Sequence, residues 1–305
     1  MKKSVGLLFA ATSAILWGTY GIFSTFLNNF GLTTATISMI GQLFIFVFFT
    51  VFTLKDGWRN YLIPKKFIPI MILYGFICAL ESFSAVKAYT HLPIAMVSVI
   101  IYCNLFLLII FSRLLFQEQL TKKKIFACVM AVLGVAMVVN VFGAEGHLNL
   151  IGLLWTVIAM ICWAVVIICE KLLLNANIKG TTILSFHGII STLFLSMLNS
   201  PAQFAHNISA SFSTSGWPLI LFIMAFGLCT KTISYYLYMI ALKRLEPALV
   251  QIVWTIDPVT ACILGFIIFR QTLLPIQIIG IIIILAIVIW LHLQQRKEER
   301  ATLNI

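Results

Sequence analysis

Charge is what this sequence has least of: only 10% of its residues are Asp, Glu, Lys or Arg, and just 9 of 305 are acidic. With 62% hydrophobic residues and a mean hydropathy of +1.09, a water-soluble globule is excluded. No G-x-x-x-x-G-K-[ST] phosphate loop is present, and the longest connection between apolar runs, Ser200 to Gly216, is about 17 residues. A nucleotide-hydrolysing domain has no place to sit. H-E-x-x-H and paired aspartates at helical spacing are also absent, so membrane-embedded hydrolysis is not expected and the chain reads as a non-enzyme. The 7 cysteines (Cys78, Cys103, Cys128, Cys162, Cys169, Cys229 and Cys262) all lie within apolar runs. None has ligand spacing with another Cys or a loop His, so neither a disulfide framework, a metal site nor a cofactor is expected.

What remains is apolar sequence in long runs. The hydrocarbon core of a bilayer is about 30 Å thick, so a spanning helix needs roughly 20 apolar residues. Ten runs qualify: 4–27, 33–54, 68–88, 93–114, 122–142, 149–171, 180–199, 217–240, 245–269 and 275–293. They show little period-two alternation, which excludes an outer-membrane barrel. The expected fold class is therefore all-α and integral to the membrane, with ten transmembrane helices. Lys2-Lys3 and the small residues Ala10, Ala11, Ser13 and Ala14 give the first run a signal-peptide flavour. Its apolar stretch continues to Leu27, however, and it has a partner later in the chain. It is expected to be a retained helix.

That partner belongs to an internal repeat. Gly6-Leu7-Leu8 and Trp17 return 146 residues later as Gly152-Leu153-Leu154 and Trp163, with Ile15/Ile161, Ile22/Ile168 and Leu27/Leu173 in register. Ala88, Leu92, Ala95, Val97, Phe116 and Leu120 return after 153 residues as Ala241, Leu245, Ala248, Val250, Phe269 and Leu273. Five spans per copy is an odd number, so the second copy must enter the bilayer from the opposite side. The expectation is two inverted five-helix repeats, 4–142 and 149–293, followed by a tail over 294–305. Inverted repeats are how many secondary transporters build two faces around one central site.

Basic residues set the orientation. With the N-terminus cytoplasmic, seventeen of the 20 Lys and Arg fall on the inside, including Lys55, Lys122–Lys124, Lys171, Lys179 and Arg296. Only Lys87 and Arg270 fall outside, and Lys231 is left within a span. By the positive-inside rule both termini are expected in the cytoplasm, and the cell membrane is the expected location. The net charge of +11 then marks the face that meets anionic lipid headgroups and requires no nucleic acid.

Around the fourth and ninth spans lie two short motif sets. The first copy reads Ala88-Tyr-Thr-His-Leu92-Pro93-Ile-Ala95, then Phe116-Gln-Glu118-Gln-Leu120. The second reads Ala241-Leu-Lys-Arg-Leu245-Glu-Pro247-Ala248, then Pro258, and Phe269-Arg-Gln271-Thr-Leu273 with Gly280. In these motifs and in their spacing the chain resembles the EamA-type members of the drug/metabolite transporter superfamily, each half looking like one EamA domain. It departs from that pattern where Gln271 replaces the usual acid, present as Glu118 in the first copy, and where the helix glycines are split between copies (Ala127 and Gly134, Gly280 and Ile287). The resemblance implies a transporter of amino acids, drugs or similar metabolites and leaves substrate and direction open.

Ionisable groups deep in a span are costly and usually face a cavity or a partner. Glu81 lies more than a dozen residues into the third span and is a candidate for a substrate ammonium or a coupling proton; the plain alternative is an ion pair with Lys231 or Lys87. Lys231, mid-span in the eighth run, is either that partner or the group that meets a substrate carboxylate; snorkelling is the third reading. Asp257-Pro258 in the ninth run pairs an acid with a residue that frees a backbone carbonyl one turn back. The alternative is a bend with an inter-helix hydrogen bond. His187 is a candidate proton relay or a packed histidine. Asn104, Gln42 and Gln251 read as hydrogen-bonding glue between helices. Trp17, Trp163 and Trp254 lie around mid-span with Tyr235 and Tyr236 nearby, either as aromatic walls of a pocket or as core bulk, while Trp58 and Trp217 sit at span ends.

The substrate-site candidates are thus Trp17, Glu81, Trp163, Lys231, Tyr236, Trp254 and Asp257, with Glu81, Asp257 and His187 as proton-coupling candidates. The expected activity is secondary transport of a small polar metabolite, amino-acid-like or amine-like, or of a drug, by alternating access, with export as the leading direction. Uptake of an organic cation and translocation of lipid are the alternatives. Protons and membrane lipids are the further expected partners. Cysteines introduced at positions 2 and 298 should react with an impermeant thiol reagent from the same side of the membrane; labelling from opposite sides would refute the odd-span duplication.

Overall fold

A computed structural model describes residues 3–89, 91, 97, 100–117, 121–141, 149–270 and 273–303. Among these every regular element is helical. In chain order they are α1 (Lys3–Gly18), α2 (Tyr20–Asn29), α3 (Thr34–Lys55), α4 (Ile68–Tyr89), α5 (Asn104–Phe116), α6 (Lys122–Val138), α7 (Leu150–Asn175), α8 (Gly180–Leu198), α9 (Pro201–Ser215), α10 (Trp217–Ala225), α11 (Ser234–Arg244), α12 (Pro247–Trp254), α13 (Ile256–Phe269) and α14 (Pro275–Leu303). Phe226–Ile233, between α10 and α11, is a π-helical segment.

Seven stretches are long and apolar enough to cross a bilayer: Ser4–Asn29, Ala35–Lys55, Lys65–Ala85, Leu150–Asn175, Gly180–Leu198, Trp217–Arg244 and Pro247–Ile268. Ile100–Phe116 and Pro275–Leu291 are shorter apolar helices. This is a multi-pass membrane protein. Its outward surface is apolar, with Leu8, Phe76, Leu154, Leu193, Leu221 and Ile282 all exposed, as helices bathed in lipid require.

Local chemistry fixes the helix ends. Thr33 and Thr121 accept hydrogen bonds from the backbone N–H of Thr36 and Lys124, each at 3.3 Å, and Asn149 accepts from Ile151 and Gly152. These side chains satisfy first-turn donors that have no partner within the helix. At the other end of two helices, Gln117 and Arg270 take left-handed conformations with φ of 55° and 53°. Those two positions stand 153 residues apart.

Several expectations need correcting. The stretch after Ser200 is a helix, α9, opened by a Ser200/Gln203 capping box with Pro201 in its first turn; the same polarity that reads as a loop suits a surface helix. Within the stretch Ser4–Asn29 the helix is interrupted at Thr19, whose N–H bonds to the Leu16 carbonyl three residues back and not to that of Ile15. Lys171 is not a headgroup cation: α7 continues four residues beyond it to Asn175. Its Nζ donates to the carbonyls of Leu242 and Leu245, each at 2.7 Å. There it neutralises the carbonyl end of α11. The motif residues Leu92, Pro93, Ala95, Glu118, Leu120 and Gln271 lie outside the described residues.

The most extensive helix pairings are α3 with α8 and α4 with α7, followed by α6 with α14 and α1 with α11. Ser13 and Ser234 lock the last pair reciprocally: Ser13 Oγ donates to the Ser234 carbonyl at 2.8 Å and Ser234 Oγ to the Ser13 carbonyl at 2.9 Å. At the α3–α8 crossing, Gly188 lies so close that a methyl group would run into the backbone of Phe46 and Ile45. Gly188→Ala should therefore destabilise the protein by about 1–3 kcal/mol, seen as a lowered Tm in detergent. An unchanged Tm would mean the crossing is looser than described.

Candidate functional site

Breaks in helical regularity surround the centre of the bundle. Thr19 separates α1 from α2, Thr255 separates α12 from α13, and the π-helical turns of Phe226–Ile233 interrupt the apolar stretch Trp217–Arg244. Thr232 Oγ1 donates to the Gly227 carbonyl five residues back, at 3.1 Å, which follows the widened turn. Irregular backbone within a membrane is tolerated where it is buried or lines a cavity, and π-helical turns recur at functional sites. Each break carries side chains inward: Trp17 and Tyr20 flank the first, Lys231 lies within the π-helical segment, and Trp254 and Asp257 flank the third.

They line one cavity of about 250 Å³, together with Ser38, Gln42, Cys78, Glu81, Ser82, Tyr102, Trp163, His187, Tyr235 and Gln251. One wall is aromatic. Trp17 stacks on Tyr20 at 5.6 Å and on Trp254 at 5.7 Å, and Trp254 reaches Trp163 at 6.1 Å between ring centroids. Tyr235 meets Trp17 edge-on at 5.3 Å.

Lys231 is held against this wall. Its Nζ sits 4.1 Å from the ring centre of Trp17, 4.8 Å from Tyr20 and 5.9 Å from Tyr235. Ring faces attract a cation by roughly 0.5–2 kcal/mol when water is displaced, so three rings take over part of the hydration that the ammonium has lost. The stem packs on Gly41, where an added methyl would stand 2.8 Å from Lys231 Cε. Glu81 lines the same cavity and accepts from Ser82 Oγ at 3.3 Å. Among the described residues Glu81 and Lys231 do not approach within the 4.0 Å of an ion pair. The two opposite charges share the cavity without closing on each other.

Asp257 is fixed by Tyr102, whose hydroxyl donates to Oδ2 at 2.9 Å and lies 3.5 Å from the Trp254 carbonyl. That carbonyl is the one Pro258, lacking an N–H, leaves unpaired one turn back. Gly18 permits the close approach of α1, since a methyl there would stand 2.8 Å from the Asp257 carbonyl.

Of the residues singled out from the sequence, Trp17, Glu81, Trp163, His187, Lys231, Trp254 and Asp257 are brought together at this cavity. Tyr236 is not. It is 46% exposed on the outer surface, while Tyr235 faces inward. Successive helical residues point about 100° apart, so only one of two adjacent tyrosines can meet the cavity. Trp58 and Trp217 are exposed and Asn104 is fully buried beside the cavity wall's helices without lining it. Tyr20, Tyr102 and Ser38 were not anticipated; as ordinary residues of apolar spans they carry no sequence signal. Glu170 was also missed. It is 1% exposed and accepts a hydrogen bond from the Tyr74 hydroxyl at 2.9 Å. The three leucines after Lys171 were the available sign that Glu170 lies inside a helix and not at its end.

Comparison with known proteins places this architecture. The EamA-like transporter family matches residues 4–140 and again 150–293. The chain belongs to that family. Among similar proteins, an uncharacterized transporter of Clostridium kluyveri is 23% identical over 296 residues, spanning 93% of this chain and 91% of the relative. The threonine/homoserine exporter RhtA of Escherichia coli is 25% identical over 173 residues. That alignment covers 56% of this chain and 55% of RhtA, so the chain matches about half the length of that relative. A crystal structure of a protein 18% identical in sequence superposes with a TM-score of 0.78 over 98% of this chain and 100% of its own; it shares the fold.

If Tyr102 anchors Asp257, Tyr102→Phe should cost about 1–3 kcal/mol of unfolding free energy, and clearly less in an Asp257→Ala background. A double-mutant cycle in detergent measures this. Equal costs in both backgrounds would show that the bond contributes nothing.

Proposed function

We propose that this EamA-like protein is a secondary transporter of small polar metabolites, amino-acid-like or amine-like, that works by alternating access. The carrying observation is an internal cavity that holds one amine, Lys231, and two carboxyl groups, Glu81 and Asp257, beside stacked indoles. A zwitterion is the complement of that set: its carboxylate meets Lys231 and its ammonium meets Glu81 or Asp257. The faces of Trp17 and Tyr20 are already occupied by Lys231, which favours a ligand bearing a carboxylate over a bare organic cation.

We read the architecture as ten transmembrane helices in two inverted repeats, 4–142 and 149–293, with 294–305 as a cytoplasmic tail and both termini inside the cell membrane. The cavity lining supports this. Trp17/Trp163 and Tyr20/Val166 line it at the 146-residue offset; Cys78/Lys231, Ser82/Tyr235 and Ile101/Trp254 do so at the 153-residue offset. A two-fold exchange of the halves also maps α3–α8 and α6–α14 each onto itself, and α4–α7 onto α1–α11. Those are the most closely packed pairs, so the pairing of helices itself follows the two-fold.

Export of an amino acid is the favoured direction, in line with RhtA, a threonine/homoserine exporter. Uptake of an amine and movement of lipid are the competing readings. Glu81, Asp257 and His187 are the groups proposed to exchange protons with the cavity. The test is counterflow in proteoliposomes loaded with threonine, homoserine, other amino acids and amines. At least one amino acid should exchange, Lys231→Met should reduce that exchange at least tenfold, and Glu81→Gln should abolish gradient-driven accumulation while sparing exchange. Failure of every amino acid, with phospholipid moving instead, would overturn the assignment, and full accumulation in Glu81→Gln would remove its coupling role.

A further inference from the structure

The cavity does not end the line of ionisable groups. His187 lines it, and its Nδ1 turns away, 3.0 Å from the Tyr74 hydroxyl and 3.8 Å from Cys78 Sγ. With Nδ1 so engaged, Nε2 is the ring nitrogen left to exchange a proton with the cavity that His187 lines. The Tyr74 hydroxyl in turn donates to Glu170 Oε1 at 2.9 Å. Glu170 is a carboxyl group buried behind the cavity wall, and its second oxygen has no hydrogen-bond partner among the described residues. The Tyr238 hydroxyl faces it from α11.

From these contacts we infer that Glu170 is a second proton-binding site, set off the substrate cavity and reached from it through His187 and Tyr74. A proton from cavity water binds His187 Nε2. The Nδ1 proton passes to the Tyr74 oxygen, and the Tyr74 hydroxyl proton passes to Glu170 Oε1. One proton has entered and one carboxylate has become a carboxylic acid. The imidazole ends neutral as the other tautomer, Tyr74 keeps one proton, and no other reactant is consumed. The alternative, a carboxyl group buried for packing alone, leaves unexplained why an acid in the membrane is joined by a hydrogen-bonded chain to the cavity and, among the described residues, to no cation. Its neighbours bear this out: Tyr74 and Cys78 on α4, Tyr235 and Tyr238 on α11, and Cys169 on its own helix are all uncharged when protonated. His187 reaches it from α8 only through Tyr74, and the Lys171 ammonium next to it in sequence is directed at the Leu242 and Leu245 carbonyls. With no counter-charge engaged among the described residues, the protonation state of Glu170 is free to follow the cavity.

This inference rests on the transport reading only for its role in coupling; the proton site itself is tested with protons. Infrared difference spectra of the full-length reconstituted protein, acidic minus alkaline buffer, should show a protonated-carboxyl band that Glu170→Gln removes and Glu81→Gln leaves in place. Tyr74→Phe should keep that band but shift it and slow its appearance, because the acid's Oε1–H loses its hydrogen-bond partner and the relay its middle link. His187→Leu should slow its appearance after a pH jump without reducing its final amplitude. A wild-type spectrum in Glu170→Gln, or, should that variant not fold, an unshifted spectrum in Tyr74→Phe, would overturn the proposal. Threonine counterflow in the same vesicles separates the two readings. Absence of amino-acid exchange in the wild type removes the transport assignment and leaves the Glu170 band, whereas normal exchange with no Glu170 band removes only the relay.

Discussion

Inside a bilayer a polar group has no water to turn to, so each one must find its partner within the protein. That constraint organises this molecule. The long helices satisfy their own backbones, and the places where they fail to do so, Thr19, the π-helical turns before Ser234, and Thr255, converge on one internal cavity. The side chains beside each break compensate for it: Tyr102 lies near the carbonyl that Pro258 leaves unpaired, and the threonines of the π-helical segment bond back to Phe226 and Gly227. Irregular backbone and functional candidates coincide because both need the one region that lipid does not reach.

The cavity is divided by charge and by surface type. Lys231 is drawn onto the indole and phenol faces, away from Glu81, while Asp257 is turned toward Tyr102. A direct Lys231–Glu81 pair would neutralise both groups and close the space between them. Keeping them apart requires that each be stabilised by something else, and the aromatic wall and the hydroxyls supply it. The cost of desolvating these charges is met by neutral, polarisable neighbours, which leaves both ions able to engage a third party.

Much of this was legible in the sequence, for a physical reason. In a chain with so few charges, an acid or lysine in the middle of an apolar run is conspicuous, so Glu81, Lys231 and Asp257 were identifiable, as were indoles repeated at a fixed offset. What could not be read depended on rotation and on tertiary partners. Tyr235 and Tyr236 are equivalent in sequence and differ only by a third of a helical turn. Tyr20 and Tyr102 look like ordinary span residues until the helices are assembled. Glu170 and Lys171 imitate the charged edge of a span, and only the continuation of α7 to Asn175 places them in the interior. The polar stretch 201–215 was read as a loop because amphipathic surface helices and loops share a composition.

Lys171 has a mechanical meaning as well. A cation on one rod that grips the open carbonyls at the tip of another acts as a rivet, since pulling it out would strand both a charge and two acceptors in hydrocarbon. The hydroxyl clasp between Ser13 and Ser234 adds a third rod to the same assembly. α1, α7 and α11 are therefore clasped into a single stiff strut within the bundle.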